Sequence, residues 1–239
     1  MLLIGLDAAA QLEHFGYAIG EYDPPQVRVR EAGLLRSVDR IDALLAAPLR
    51  SAERALIAID APLGWPASLG PALVAHYAGQ PLGVEPNQLF RRDTDRFVRE
   101  RWGRQPLEVG ADRIARAAVS ALAVLGRLRE SSGSALPVLV SIPPPAGVSV
   151  AEVYPAVTLK SHGAPHSGYK QPEQRAVRAE IAAALASVCD GLRDLIDERS
   201  DVFDAALCLI AAVDILEGRC ALPRDAGLAQ REGWIWVRA

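Results

Sequence analysis

Two short apolar runs, each closed by an aspartate, constrain this chain more than any other feature: Leu2-Leu3-Ile4-Gly5-Leu6-Asp7 and Ala55-Leu56-Ile57-Ala58-Ile59-Asp60. An unbroken apolar run of this length, bounded by turn residues, is the pattern of a strand covered on both faces. Such strands belong to α/β sheets, and in open α/β sheets ligands gather where the strands end. Each run therefore delivers a carboxylate to a binding position. An aspartate there also starts turns and caps helices, so neither is decisive alone, but the pair suggests a divalent-metal site.

With 239 residues, half of them hydrophobic, the chain can bury a sizeable core, and a single domain over residues 1–239 is expected. No apolar stretch reaches the roughly 20 residues that cross a bilayer. The first residues also lack a basic segment followed by a cleavage site. A cytoplasmic location without a membrane partner is the expectation. Cys189, Cys208 and Cys220 are odd in number and contain no Cys-x-x-Cys pair, so they read as core residues, not as a disulfide frame or zinc knuckle. A formal charge of −3 excludes the bulk basic excess of a strong nonspecific nucleic-acid binder. Any polyanion must be met by a local patch, and oligomeric state is left open.

Along the chain, Gly16–Glu21 and Gln26–Ala32 read as two strands joined through Asp23-Pro24-Pro25, which predicts an antiparallel meander after the first strand. Ser37–Leu49 has helical spacing. The Gly-, Pro- and Arg-rich stretch at about 65–110 reads as an insertion covering the site, with a helix over Asp93–Trp102. Ala111–Arg129 is an amphipathic helix. Pro137–Ile142 and Val148–Tyr154 are strand candidates, and Ser161–Pro172 is a polar loop. Glu173–Arg199 reads as one long helix, and Asp201–Gly218 as a second, apolar almost all round and hence buried.

The first turn of that last helix is its acidic exception. Asp201 and Asp204 lie three apart, so they share a face. Asp201 is equally well placed to cap the helix. Asp204 opens a buried element, where an unpaired carboxylate costs several kcal/mol or stays protonated. It needs a partner, and a cation would suffice. Alternation places Glu152 in an apolar row with Val148, Val150 and Tyr154, which suits either a ligand or a solvated edge strand. Like charges held close raise one another's pKa unless a cation neutralises them, and oxygen-only ligands favour Mg²⁺ or Mn²⁺ over zinc.

Several motifs in this order carry a family resemblance. Gly5-Leu6-Asp7-Ala8, Ile59-Asp60-Ala61-Pro62-Leu63-Gly64-Trp65-Pro66, Arg92-Asp93-Thr94-Asp95, Glu152-Val153-Tyr154-Pro155, Asp201-x-x-Asp204-Ala205 and the closing Glu232-Gly233-Trp234-Ile235-Trp236-Val237 resemble the family of domain of unknown function 429. That family is regarded as predicted nucleases with a ribonuclease H-like fold. The resemblance implies an α/β mixed sheet whose first three strands are antiparallel, followed by strands parallel to the first, flanked by helices. It implies Asp7, Asp60 and Asp204 as metal ligands for Mg²⁺ or Mn²⁺, with Glu152 and Asp201 as auxiliary ligand or base. It is closest to the Holliday-junction resolvase branch, whose last helix starts with a similar Asp-x-x-Asp-Ala.

Arg91, Arg92, Arg96, Arg99, Arg101 and Arg104 crowd one acid-interrupted segment that reads as a solvated helix face. Arg92 and Asp95, within the family-like motif, are its candidate substrate-binding members, and Lys170 is a candidate phosphate contact. His162 and His166 read as loop residues without helical zinc-ligand geometry, and the four tryptophans as core or lid residues. The leading expectation is a metal-dependent phosphodiester hydrolase acting on nucleic acid or a nucleotide-like substrate. The rival expectations are an actin- or sugar-kinase-like ATP-dependent phosphotransferase and a non-catalytic module binding nucleic acid or a phosphorylated ligand. The hydrolase reading fails if Asp7, Asp60 and Asp204 stand out of one another's reach, or if a basic side chain is lodged permanently among them.

Overall fold

Turn residues and alternation set the first three strands. In a computed structural model describing residues 1–110, 112–171 and 173–239, Leu2–Asp7 (β1), Gly16–Asp23 (β2) and Gln26–Leu34 (β3) form the antiparallel meander. Arg54–Asp60 (β4) then pairs parallel to β1, and Gly147–Glu152 (β5) parallel to β4. Cys189–Asp190 (β6) extends the far edge beside β3. The strand order is β5-β4-β1-β2-β3-β6. An antiparallel start followed by parallel strands, with helices on both faces, is the ribonuclease H-like architecture that the resemblance implies.

Helices cover the sheet in two layers. One face carries the helical segment 38–51 (α1), whose middle stretch Ile41–Ala46 is wound in wider π turns, and Asp112–Ser132 (α3). Ile4, Leu6, Ile57, Ile59 and Val150 pack there with Leu45, Leu125 and Leu128. Leu3, Leu56, Ala58 and Ala151 face the other way, against Ser200–Leu216 (α6). The insertion holds two short helices, Leu69–Val74 and Pro86–Phe90, and then Asp93–Trp102 (α2). Pro155–Ser161 (α4), Arg175–Ala184 (α5) and Ala226–Glu232 (α7) complete the set. From Val202 to Ile215 every residue of α6 is buried. None of the described helices is long and apolar enough to cross a membrane.

Three local expectations are corrected. Residues 137–142 do not form a strand: Val138 makes one bridge to Val150, supported by Leu139 N–H to Val150 O and Val150 N–H to Pro137 O. Proline at 137 and again at 143–145 removes the donors a ladder needs. The long helix expected over 173–199 stops at Ala184, because the chain returns to the sheet. Val27 N–H reaches Val188 O at 2.9 Å, β6 follows, and Gly191 turns the backbone at φ 90°. Val188, Cys189 and Gly191 were the strand and turn signals hidden in that stretch. Asp201 does not cap α6, since Arg199 is the N-cap and Asp201 sits inside the first turn. The expected helix start at Ala111 and loop end at Pro172 lie outside the described residues.

Candidate functional site

Register brings the first two acids together. Asp7 and Asp60 are Cα partners in the parallel β1–β4 pair, so their backbones stand about 4.8 Å apart. By alternation both follow the row of Leu3, Leu56 and Ala58, which faces α6. The start of α6 crosses directly over them because two glycines let it approach. A Cβ on Gly5 would stand 2.0 Å from Ala205 O, and one on Gly16 2.0 Å from Asp201 O. That close crossing sets the completely buried Asp204 near the strand ends.

The electrostatics of this group are strained. Burial, then the charges of Asp204 and Asp60, push Asp7 well above the usual carboxylate range. Burial, opposed by Lys170 and reinforced by Asp204 and Glu152, takes Asp60 up to about 7. Burial also raises Asp204, against the pull of Lys170 and Tyr169. Asp201, in the same first turn, is paired with Arg199 at 3.0 Å and adds a further raising charge on Asp7 and Asp204.

Asp204 is clasped from the loop after α4. The Tyr169 hydroxyl donates to Oδ1 at 2.8 Å, and Lys170 Nζ lies 2.5 Å from Oδ2. That ammonium is the charged partner of the buried Oδ2. The loop is bolted in place by buried Arg178, whose Nε donates to Tyr169 O at 2.7 Å and whose NH1 donates to Ile196 O and Glu198 O. Tyr169 and Arg178 were missed from sequence, although Tyr169 adjoins a residue that was singled out. Removing the hydroxyl should loosen Asp204. Tyr169→Phe is expected to cost about 1.5–3 kcal/mol of stability, as for a hydrogen bond to a charged group, which urea unfolding measures.

Glu152, Arg92 and Asp95 belong to a different construction. Glu152 alternates with Val148 and Val150, and that row faces α1 and α3, opposite to Asp7 and Asp60. Its two oxygens accept from Arg92 NH2 and NH1 at 2.7 and 2.8 Å, and Oε2 also accepts from Leu63 N–H at 3.0 Å. Arg92 spends its remaining donors on Asp95 at 2.9 and 3.2 Å and on Glu232 O at 3.1 Å. All five guanidinium N–H groups are taken. Arg92 therefore has no donor left for a substrate phosphate. Asp95 is spent within the same network, its Oδ2 also accepting from Arg92 N–H at 2.9 Å. Glu152 likewise commits both oxygens to Arg92 and Leu63. These pairings share one cause: the three side chains are at most 2% exposed, and buried charges must satisfy one another.

The same latch absorbs most of the remaining family-like motifs. Glu232 accepts from Ala67 N–H and Asp93 N–H, each at 2.7 Å, and Thr94 Oγ1 accepts from Ile235 N–H at 2.7 Å. Gly64 and Gly233 leave room for it, since a Cβ at either would come within 2.8 Å of Glu232 or Glu152. Above the strand ends, between the acids and this latch, lies a cavity of about 300 Å³, walled on the insertion side by Pro106 and Leu107 and on the α3 side by Ile114.

The model of the family described as "Protein of unknown function (DUF429)" matches residues 16–227. The chain belongs to that family. The matched span includes Asp60, Arg92, Glu152 and Asp204 and begins after Asp7. No curated protein matches the chain significantly. Among solved structures it is similar to T. thermophilus RuvC in complex with Holliday junction substrate, at 13% identity over 91% of this chain and 96% of that one, with a TM-score of 0.42.

Proposed function

We propose that this family member is a divalent-metal-dependent phosphodiester hydrolase, a nuclease in the broad sense, with Asp7, Asp60 and Asp204 as the ligands of Mg²⁺ or Mn²⁺. The observation that carries the reading is the grouping of three carboxylates, with one lysine between them, at the strand ends beneath a cavity. Lys170 supplies one positive charge against their three negative ones, so two must be met by protons or by a cation. The donor set is all oxygen, which fits a hard ion. Oδ2 of Asp204 faces the Lys170 ammonium, and a metal ion would have to take that ammonium's place. Among the described residues no three His, Cys, Asp or Glu side chains already close around one ion, so the carboxylates would be drawn together on binding.

An ion held there would supply a water of lowered pKa and charge stabilisation at the leaving oxygen. The residues do the rest. Asp7 and Asp60 fix the base of the site through the β1–β4 ladder, Tyr169 orients Asp204, and Asp201 stands by as an auxiliary acid. The cavity admits a phosphodiester from the insertion side. Nucleic acid or a nucleotide-like diester is the proposed substrate, with the cytoplasm as the proposed location.

Lys170 favours a second reading. Its ammonium sits beside Asp204, and as a permanent resident it would make the cluster a non-catalytic binding site. The hydrolase reading requires that it be displaceable, and its side chain is 56% exposed and approaches from a loop. Lys170→Met decides between the two. If the lysine competes with metal, the variant binds Mn²⁺ several-fold more tightly by calorimetry, matching the worth of a partly exposed ion pair. If Mn²⁺ fails to bind either form, and labelled DNA and RNA panels stay uncut with metal present, the hydrolase reading is wrong.

A further inference from the structure

At the far end of α6 the fold holds a second polar cluster. Asp214 lies ten residues beyond Asp204, about 15 Å along the helix, and its side chain is almost completely buried. His162 Nε2 approaches its Oδ2 at 2.8 Å, so that nitrogen is the ring's donor. Arg238 NH1 stands 3.5 Å from Oδ1 and 3.3 Å from His162 Nδ1. Arg219 NH1 stands 3.8 Å from the same Oδ1. Two guanidinium groups and an imidazole thus converge on one buried carboxylate.

Backbone pairing brings together the two segments that carry the arginines. Residues 219–221 run antiparallel to the end of the chain, with Ala239 N–H bonded to Arg219 O at 2.8 Å, Ala221 N–H to Val237 O at 2.9 Å, and a bridge between Cys220 and Arg238. Asp214 Oδ1 faces both guanidinium groups, and Glu217 adds its Oε2 to Arg219 NH2 at 3.5 Å while its Oε1 accepts from the Tyr22 hydroxyl. Arg238 Nε and NH2 meet no protein acceptor among the described residues, in contrast with Arg92, whose five donors are all spent. Both arginines border a cavity of about 540 Å³ that Ser161, His162 and Ser187 also line.

The geometry points to an anion-binding site here, formed by Arg219 and Arg238 with the Ser187 hydroxyl, for a small phosphate-bearing ligand, with His162 bracing Asp214 and Arg238 at its edge. A guanidinium edge matches two oxygens of a phosphate. The buried Asp214 positions the arginines without filling the cavity, as its side chain is only 2% exposed. The pocket is apart from the acidic cluster, so its occupancy does not depend on the hydrolase reading.

Calorimetric titration of the full chain in EDTA, with inorganic phosphate and separately with a nucleoside 5′-monophosphate, tests the site. The wild type is expected to bind at least one of them. Arg219→Gln/Arg238→Gln is expected to weaken that binding about tenfold or more, while Asp60→Asn leaves it unchanged. Ser187→Glu places a carboxylate at the exposed rim without touching Asp214, and it should abolish binding if the double variant proves unstable. Binding of phosphate itself identifies the phosphate group as sufficient, and binding of the nucleotide alone identifies a nucleoside contribution in the same cavity. Failure of both to bind, or binding that survives Ser187→Glu, would overturn the proposal.

Discussion

Asp60→Asn is expected to remove metal-dependent cleavage and, in the same protein, to raise stability near neutral pH when metal is absent. The first effect follows from losing one of the three proposed ligands, which forfeits several kcal/mol of transition-state stabilisation, about a thousandfold or more in rate. The second follows from linkage. Burial and neighbouring charge hold the Asp60 carboxyl at about 7 in the folded chain, against 3.8 ordinarily. Between those values the folded state keeps a proton that the unfolded state has shed. The Asp60 contribution to the stability of the metal-free wild type therefore falls as pH climbs through that window, by on the order of a few kcal/mol, and is gone above it. Asparagine is neutral throughout and removes this contribution.

Divalent metal should invert the slope in the wild type. Ligands must be deprotonated to bind, so Mn²⁺ stabilises more strongly as pH rises, and the folded chain gains what the carboxylates otherwise lose. Thermal unfolding from about pH 5 to about pH 8, with and without Mn²⁺, reads both slopes in both proteins. Unchanged cleavage by Asp60→Asn, or indistinguishable pH slopes, would remove Asp60 from the site.

How much of this was legible in the sequence follows from the range of each signal. Strand runs ending in Asp7 and Asp60 are local patterns, and their parallel pairing in register was a topological consequence. The buried α6 announced itself by having no polar face, which left Asp204 conspicuous. Glu152 was placed correctly in its apolar row, but one strand's alternation does not reveal which face that row shares with another strand. Arg92 and Asp95 stood in a recognisable motif, yet whether an arginine meets phosphate or protein depends on Glu152 and Glu232, 60 and 140 residues away. Tyr169 and Arg178 act through loop carbonyls and a single hydroxyl, contacts with no periodicity to betray them. Lys170 was legible as a cation near the site but not as a neighbour of Asp204.

Arg92→Met is expected to cost about 3–5 kcal/mol, because it strands two buried carboxylates without a counter-charge. Glu152 and Asp95 lose their principal partner together, and Glu232 O loses a donor. That is a large part of the roughly 5–15 kcal/mol that holds a domain folded. The insertion and the closing segment should detach first, since this latch joins Leu63, Asp93 and Glu232 to β5. Removing the charges together should cost much less. Arg92→Met/Asp95→Asn/Glu152→Met removes the three buried charges that pair with one another, and replacing a buried charge network by apolar groups of similar volume is often close to neutral. Urea midpoints of the single and triple variants measure the difference. The comparison also separates a latch from a phosphate contact. Were Arg92 a substrate contact, Arg92→Lys would raise KM while leaving the urea midpoint alone, and the triple variant would gain nothing over the single one. A latch predicts the reverse, because an ammonium cannot supply the two-pronged pairing that Glu152 receives in the buried state.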